Sequence, residues 1–206
     1  MRKAIVFLLR HGAIDNPGQG MVGQIDLALS RQGRAQAKRW AKILAPVAFE
    51  RIVASDLRRT WDTARVVAAG RPVGPLPVLR EINLGDWEGL SREQIKSRYP
   101  DLWMARWQDL PNCRPPQGES FTDLAQRVVP AVMDIGAAAT GPVLIVTHAG
   151  VIRVVLCHLL GIDLANLFRI GLDYGALTLI DPKGPAVLGM NLRPEAIKAI
   201  PLPDSL

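Results

Sequence analysis

Two of the three histidines stand at matching places in the chain. "AIVFLLRHGAIDN", residues 4–16, runs six apolar residues into Arg10, His11 and Gly12, and "PVLIVTHAGVIR", residues 142–153, runs through Val146 and Thr147 into His148 and Gly150. A lone histidine after a strand is commonly a hydrogen-bonded structural residue. Two at equivalent strand ends, each close to a glycine, point instead to a shared site, because functional groups in open α/β sheets gather where loops leave the carboxyl ends of the strands. Glycine lets backbone N–H groups approach an anion closely, and Gly150 opens a helix whose N-terminus favours negative charge.

Other charged residues fit that chemistry. Arg10 adjoins His11, and "ASDLRRT", residues 54–60, puts Arg58 and Arg59 in the first turns of a helix. Cations there oppose the helix dipole, so their placement calls for an outside anion. A solvated basic face accounts for one of the two. Glu81, in "LREINLGDWEGL", follows an apolar stretch and precedes a turn at Gly85; taken alone it reads as a surface carboxylate.

The elements that must position these residues follow from periodicity. Short apolar runs alternate with amphipathic ones, the pattern of helices packed on both faces of a mostly parallel sheet, a three-layer α/β/α arrangement. Strands are predicted at 4–9, 51–54, 143–147 and 176–181, with another at 186–192. Helices are predicted over "LSRQGRAQAKRWAKIL" with Ser30 as N-cap, over "DLRRTWDTARVVAA", and from Ser91, where Ser91 and Gln94 have capping-box spacing. Two more are expected at 120–139, kinked at Pro130, and after Gly150. Glu119 and Ser120 stand where a cap is needed, and His158 reads as a structural residue on a helix. Trp103 and Trp107 lie four apart on one helix face, which suits core packing first and a stacking platform second. The proline-rich end is expected to be poorly ordered.

Bulk properties narrow the classes. The chain of 206 residues, 49% hydrophobic, is long enough for one domain with a proper core. A formal charge of +6 suits nucleic acid, an anionic surface or a small acidic substrate. The basic residues, however, are dispersed and mixed with acids rather than clustered with aromatics, so a nucleic-acid-binding module is disfavoured. No run approaches the roughly 18 apolar residues of a membrane span, and no signal-peptide pattern precedes the first strand. Cys113 and Cys157 lack metal-knuckle or redox spacing and read as ordinary thiols in a reducing compartment. A cytoplasmic monomer or homodimer is expected. "GQGMVG", residues 18–23, fits G-x-G-x-x-G but neither follows a strand directly nor opens a helix, and no acidic residue stands at the right distance, so it reads as a loop.

The motifs together resemble the histidine phosphatase, or phosphoglycerate mutase-like, superfamily. "RHG" at 10–12 matches its signature, "SDLRRTWDTA" its second arginine motif, "EINLGDWEGL" its acid motif and "THAGVIR" its second histidine motif, in the expected order. The resemblance implies the fold of that superfamily, with His11 as nucleophile, Arg10 and Arg59 as phosphate-binding arginines, Glu81 as general acid and His148 as the second phosphate-side histidine. Arg59 is preferred to Arg58 because it is the fifth residue of the S-x-L-x-R spacing. Asn16 stands one position early for the family's loop asparagine. Gly23, in the same loop, and Gly150 join the expected substrate-binding set, and residues 82–120 are expected to cover the pocket. Ala13 departs from the Glu or Gln that many relatives carry after "RHG".

The implied reaction is hydrolysis of a small phosphate monoester through a phosphohistidine, with neither metal nor cofactor. A phosphoglycerate mutase is the alternative, and an inactive scaffold a further one. The mutase branch resembles a Thr-Gly in the first loop, an Arg-Arg pair before prolines and an asparagine after the second histidine. Here those places hold Val22-Gly23, a single Arg114 and Ala149-Gly150. "GDWEG", "PPQGES" and "HAGVIR" look more like the phosphatase branch, which includes α-ribazole and broad-specificity sugar-phosphate phosphatases.

Overall fold

A computed structural model of the chain describes residues 4–16 and 20–197. Part of the "GQGMVG" stretch and the proline-rich end past residue 197 therefore lie outside the described residues. The first strand, β1 (Val6–Arg10), is apolar on both faces, as a strand covered from both sides must be. It reaches one residue further than expected because Arg10 pairs with Thr147 and donates its N–H to Ala176 O at 3.0 Å. Ser30 then caps α1 (Arg31–Ile43) by accepting the Gly33 N–H. Next come β2 (Arg51–Ala54), α2 (Arg58–Ala68), and a two-residue β3 (Gly74–Pro75) that periodicity is too short to reveal.

After two 3₁₀ turns come α3 (Arg92–Arg98) and α4 (Pro100–Gln108). The reciprocal Ser91–Gln94 capping box opens α3. Ile95, Trp87 and Trp103 join the main core, whereas Trp107 is 60% exposed. The two tryptophans expected to share a face are thus divided between interior and surface, still touching edge to face at 5.6 Å. Helix α5 (Phe121–Ala138) runs through Pro130 as one element. Ser120 caps it in a box with Asp123, whose pKa is lowered to about 2 by hydrogen bonds from Arg114 and from Ser120. Glu119 plays no part in that cap. It binds Arg127 and the Asn83 N–H instead. The chain closes with β4 (Val143–Thr147), α6 (Ala149–Leu160), β5 (Leu177–Asp181), β6 (Ala186–Leu192) and a short α7 (Pro194–Ile197). His158 is an exposed residue of the last turn of α6.

The six strands form one sheet in the order β3-β2-β4-β1-β5-β6. The first four are parallel, and β5 runs antiparallel beside β1. Strand alternation sorts the core into two layers. Phe7, Leu9, Ala54 and Val146 face Ala37 and Trp40 of α1 and Ala64 and Val67 of α2. Val6, Leu8, Val53 and Ile145 face Leu124 and Val128 of α5 and Val151 and Val155 of α6. The result is the expected α/β/α stack.

One contact ties a helix directly to the strand end that carries His11. A Cβ on Gly33 would collide with the carbonyl oxygen of Ala13, and one on Gly12 would strike the Gly33 backbone. The loop after His11 therefore lies flush on α1, backbone to backbone. Gly33→Ala should lower the unfolding free energy by about 1–3 kcal/mol, the usual cost of forcing atoms into a packed contact. Urea denaturation checks this, and a loss below about 0.5 kcal/mol, within the scatter of ordinary surface changes, would show that the two backbones can separate freely.

Candidate active site

Parallel register brings the ends of three strands level. Arg10 pairs with Thr147, and Ala54 with Val146, so His11, His148 and Ser55 all emerge at the carboxyl edge of the sheet. The His11 N–H binds Thr147 O, and the Ser55 N–H binds Val146 O, each at 3.0 Å. The two imidazoles, 137 positions apart in the sequence by their numbers, meet with ring centroids 5.3 Å apart. Both are almost fully buried.

The tautomer of His11 follows from its two partners. Nδ1 lies 2.8 Å from the Gly12 carbonyl oxygen, which can only accept, so Nδ1 carries the hydrogen. Nε2 lies 3.3 Å from Arg59 Nε, which can only donate, so Nε2 holds the lone pair. Burial and the neighbouring charges of Arg59 and Arg10 push the His11 pKa well below its ordinary value, against the pull of the Gly12 bond. His148 is pushed the same way by burial, then by Arg59, His11 and Arg10. Two neutral imidazoles face each other, one with a free-base nitrogen.

Arg59 is almost completely buried and gives its terminal nitrogens to the carbonyl oxygens of Ile25 and Gly23. Arg10 donates to Leu172 O at 2.7 Å and lays its guanidinium 3.8 Å over the Tyr174 ring, while its buried Nε has no hydrogen-bond partner among the described residues. Burial lowers the pKa of both arginines from the ordinary value, with Tyr174 and Glu81 acting in the opposite direction for each. Among the described residues, neither arginine pairs with a carboxylate. Arg58, by contrast, is exposed and lies near Asp62.

Glu81 reaches the same edge. Its carboxylate accepts the Ile82 N–H and, at 3.0 Å, the Gly150 N–H. A Cβ on residue 150 would collide with that carboxylate, so glycine here makes room for Glu81. The Gly150 N–H is thus occupied by a side chain of the site. The Gly23 N–H goes to Glu88 and its carbonyl to Arg59, so Gly23 helps to place that arginine. Asn16 donates to Gly20 O at 2.8 Å within its own loop. Glu88 also accepts the Gln24 N–H, and Gln24 and Arg127 both donate to the Glu81 carbonyl.

Two residues at the site escape sequence reasoning. Ser55, fully buried, places its hydroxyl 2.9 Å from His148 Nε2. A polar residue just beyond a third parallel strand was a usable signal. Tyr174 has none: it arrives because antiparallel β5 begins where β1 ends, with Leu177 opposite Leu9. Its ring centroid is 5.5 Å from that of His11. A polar cavity of about 550 Å³ shares Ala13 and Tyr174 with this edge and is lined further by Gln32, Gln36 and Asp173. Among the described residues, no three His, Cys, Asp or Glu side chains cluster so as to hold a metal ion.

An open α/β sheet with two buried histidines and two arginines at its carboxyl edge defines a phosphate-handling class, and comparison with known proteins agrees. Residues 6–192 match the histidine phosphatase superfamily (branch 1), and the chain belongs to that family. It is 38% identical over 177 residues to the glucosyl-3-phosphoglycerate phosphatase of Mycolicibacterium vanbaalenii, covering 81% of this chain and 78% of that protein. It is 31% identical over 180 residues to the adenosylcobalamin/α-ribazole phosphatase of Salmonella typhimurium, covering 85% and 89%. The structure of the α-ribazole phosphatase from Shigella flexneri superposes with a TM-score of 0.83 at 27% identity, over 92% of this chain and 96% of that one. The chain is thus a phosphatase-type member of the family, as these relatives are.

The depressed histidine pKa values carry a sign for stability. Above about pH 6.5 neither the folded nor the unfolded histidines are charged, and the two groups contribute no pH dependence. As pH falls through 6.5 the unfolded chain takes up protons that the folded chain refuses, so stability drops by about 1.4 kcal/mol per pH unit per histidine until the folded pKa is reached. His148→Asn should therefore flatten the acid limb of unfolding free energy against pH by about that slope. An acid limb as steep as that of the unsubstituted protein would show that His148 accepts its proton while folded.

Proposed function

We propose that this chain hydrolyses small phosphate monoesters by transferring the phosphoryl group first to His11 and then to water. The observation that supports this most directly is the His11 tautomer: Nδ1–H is anchored on Gly12 O, and the Nε2 lone pair points at Arg59. A phosphoryl group entering between them would draw Arg59 Nε–H onto an oxygen and leave Nε2 free to attack. The P–N bond forms as the P–O bond to the alcohol breaks, and Glu81 gives a proton to the departing oxygen. A water then attacks phosphorus, Glu81 takes its proton, and the P–N bond breaks to release phosphate. Arg10, Arg59 and His148 neutralise the charge spread over the phosphoryl oxygens, since positioning and charge stabilisation are most of what such a transfer needs.

Hydrolysis rather than mutase chemistry is supported by Arg114. This arginine, standing before the proline pair, gives Nε–H and one terminal N–H to Asp123 at 2.8 and 2.6 Å, so the fork that would grip a carboxylate is already taken. The names of the relatives support a hydroxyl-rich leaving group, of the sugar or nucleoside kind. The remaining assignments belong to the same proposal: a single domain in which residues 82–120 cover the site, a monomer or homodimer in the cytoplasm, and no nucleic-acid partner. Two free, buried cysteines support a reducing compartment. Basic side chains paired with carboxylates, Arg80 with Asp56 and Arg127 with Glu119, support the absence of a nucleic-acid face.

A panel of α-ribazole phosphate, glucosyl-3-phosphoglycerate, 3-phosphoglycerate and nucleotides tests the substrate class, with turnover expected to favour an ester of a sugar-bearing alcohol. His11→Ala should abolish both turnover and acid-labile phosphate labelling, and survival of either would overturn the nucleophile. Glu81→Gln should slow single-turnover phosphohistidine formation from an alkyl phosphate about 100- to 10,000-fold, the range for loss of a general acid, while sparing that step for a nitrophenyl ester whose leaving group needs no proton. Equal losses on both esters would remove Glu81 from the acid role.

A further inference from the structure

His148 has one ring nitrogen engaged and one stranded. Nε2 lies 2.9 Å from Ser55 Oγ, while the buried Nδ1 has no hydrogen-bond partner among the described residues. The residue is also the N-cap of α6, yet its side chain makes no capping bond. The stranded nitrogen is thus spent neither on the helix nor on the scaffold. It lies in a region whose main charges are Arg59 and Arg10, the surroundings of a bound anion.

The bonds of Ser55 decide which nitrogen carries the hydrogen. Its Oγ receives the Leu57 N–H at 3.4 Å, a donor that cannot be reversed. The hydroxyl keeps one proton to give, and His148 Nε2 is the acceptor it meets among the described residues. If the hydroxyl donates, Nε2 is the lone-pair nitrogen and Nδ1 bears the hydrogen. The reverse tautomer would leave the hydroxyl proton with no acceptor and also a stranded Nδ1 lone pair, two buried polar groups unsatisfied instead of one. That lone pair would moreover face the oxygens of a phosphoryl group and repel them.

We propose that Ser55 is a positioning residue that holds His148 as its Nδ1–H tautomer, so that the stranded hydrogen is presented to a phosphoryl oxygen. The proposal deepens the phosphatase reading and rests on it for the phosphoryl group, but the tautomer itself is a property of the resting protein. Ser55 is held for the task. Its backbone N–H binds Val146 O and its carbonyl accepts the Thr60 hydroxyl, each at 3.0 Å, with the side chain fully buried. His148 therefore acts as a neutral donor that needs no proton from solvent, and the role is lost if the ring inverts its tautomer.

The test is long-range proton–nitrogen correlation NMR on protein labelled with ¹⁵N-histidine, with His148 assigned by comparison with His148→Asn. A protonated Nδ1 and bare Nε2 at His148 are expected; the opposite pattern overturns the proposal. Ser55→Ala should give a mixed or inverted tautomer at His148, weaker inhibition by inorganic phosphate, and a kcat/KM lower by about 10- to 100-fold, short of the roughly 100- to 1000-fold of deleting an oxyanion donor outright. Ser55→Thr, which retains the hydroxyl, should restore the tautomer. An unchanged tautomer with unchanged kcat/KM in a folded Ser55→Ala protein would overturn the role. Should Ser55→Ala not fold, the unsubstituted protein and Ser55→Thr decide the matter by NMR alone. Failure of the phosphatase reading would show separately, as no turnover of any phosphate monoester by the unsubstituted protein with the His148 tautomer as expected.

Discussion

Two guanidinium groups, Arg59 buried and Arg10 partly so, with no carboxylate in contact among the described residues, are the constraint on which the rest of this structure depends. Burying an unpaired charge is costly, and proteins usually relieve the cost with an ion pair. Among the described residues, Arg10 and Arg59 are relieved by carbonyl oxygens, an aromatic face and one imidazole nitrogen. Glu81 influences both at longer range, but its oxygens are held by backbone N–H groups. Positive potential thus accumulates at one edge of the sheet, and the imidazoles respond by staying neutral. Under the proposed function a dianion would complete such a site, supplying the missing negative charge beside the buried polar atoms Arg10 Nε and His148 Nδ1, which have no hydrogen-bond partner among the described residues.

Holding like-charged groups together requires a rigid frame, and the frame is mostly backbone. His11 and Ser55 extend the ladders of β1 and β2 onto β4, so their side chains start from pleated, hydrogen-bonded positions. Glycines set the close approaches: Gly12 and Gly33 let the loop after His11 press on α1, and Gly150 lets a carboxylate sit over the start of α6. Gln36 ties two loops at once, accepting the Ala13 N–H and donating to Tyr174 O. Ala13, whose side chain offers no polar group, has its backbone N–H engaged by Gln36, so the loop after His11 leaves no orphan donor there.

The family relationship and the geometry carry different parts of the conclusion. Similarity over residues 6–192 establishes the class to which the chain belongs. The roles of particular atoms come from donors that cannot accept and acceptors that cannot donate. Gly12 O and Arg59 Nε determine one imidazole, and Leu57 N–H, through Ser55, is the basis of the proposal for the other. Specificity depends on what surrounds the leaving group, where similar folds differ most.

Much of this was legible in the sequence, because it depended on neighbours only a few positions apart. Alternating apolar runs gave away the long strands, cap spacing located the starts of α1, α3 and α5 at Ser30, Ser91 and Ser120, and the S-x-L-x-R spacing separated the buried Arg59 from the exposed Arg58. Strand ends marked by Arg-His and Thr-His were enough to point to one phosphate site. What the sequence could not contain was register between distant segments. Ser55 meets His148 across 93 positions, Gly150 meets Glu81 across 69, and Tyr174 slides beneath Arg10 only because β5 runs antiparallel to β1. Periodicity and capping are local properties of a chain, whereas the partner of a buried nitrogen is chosen by which strands pair and in what alignment, and that is decided only when the whole sheet has closed.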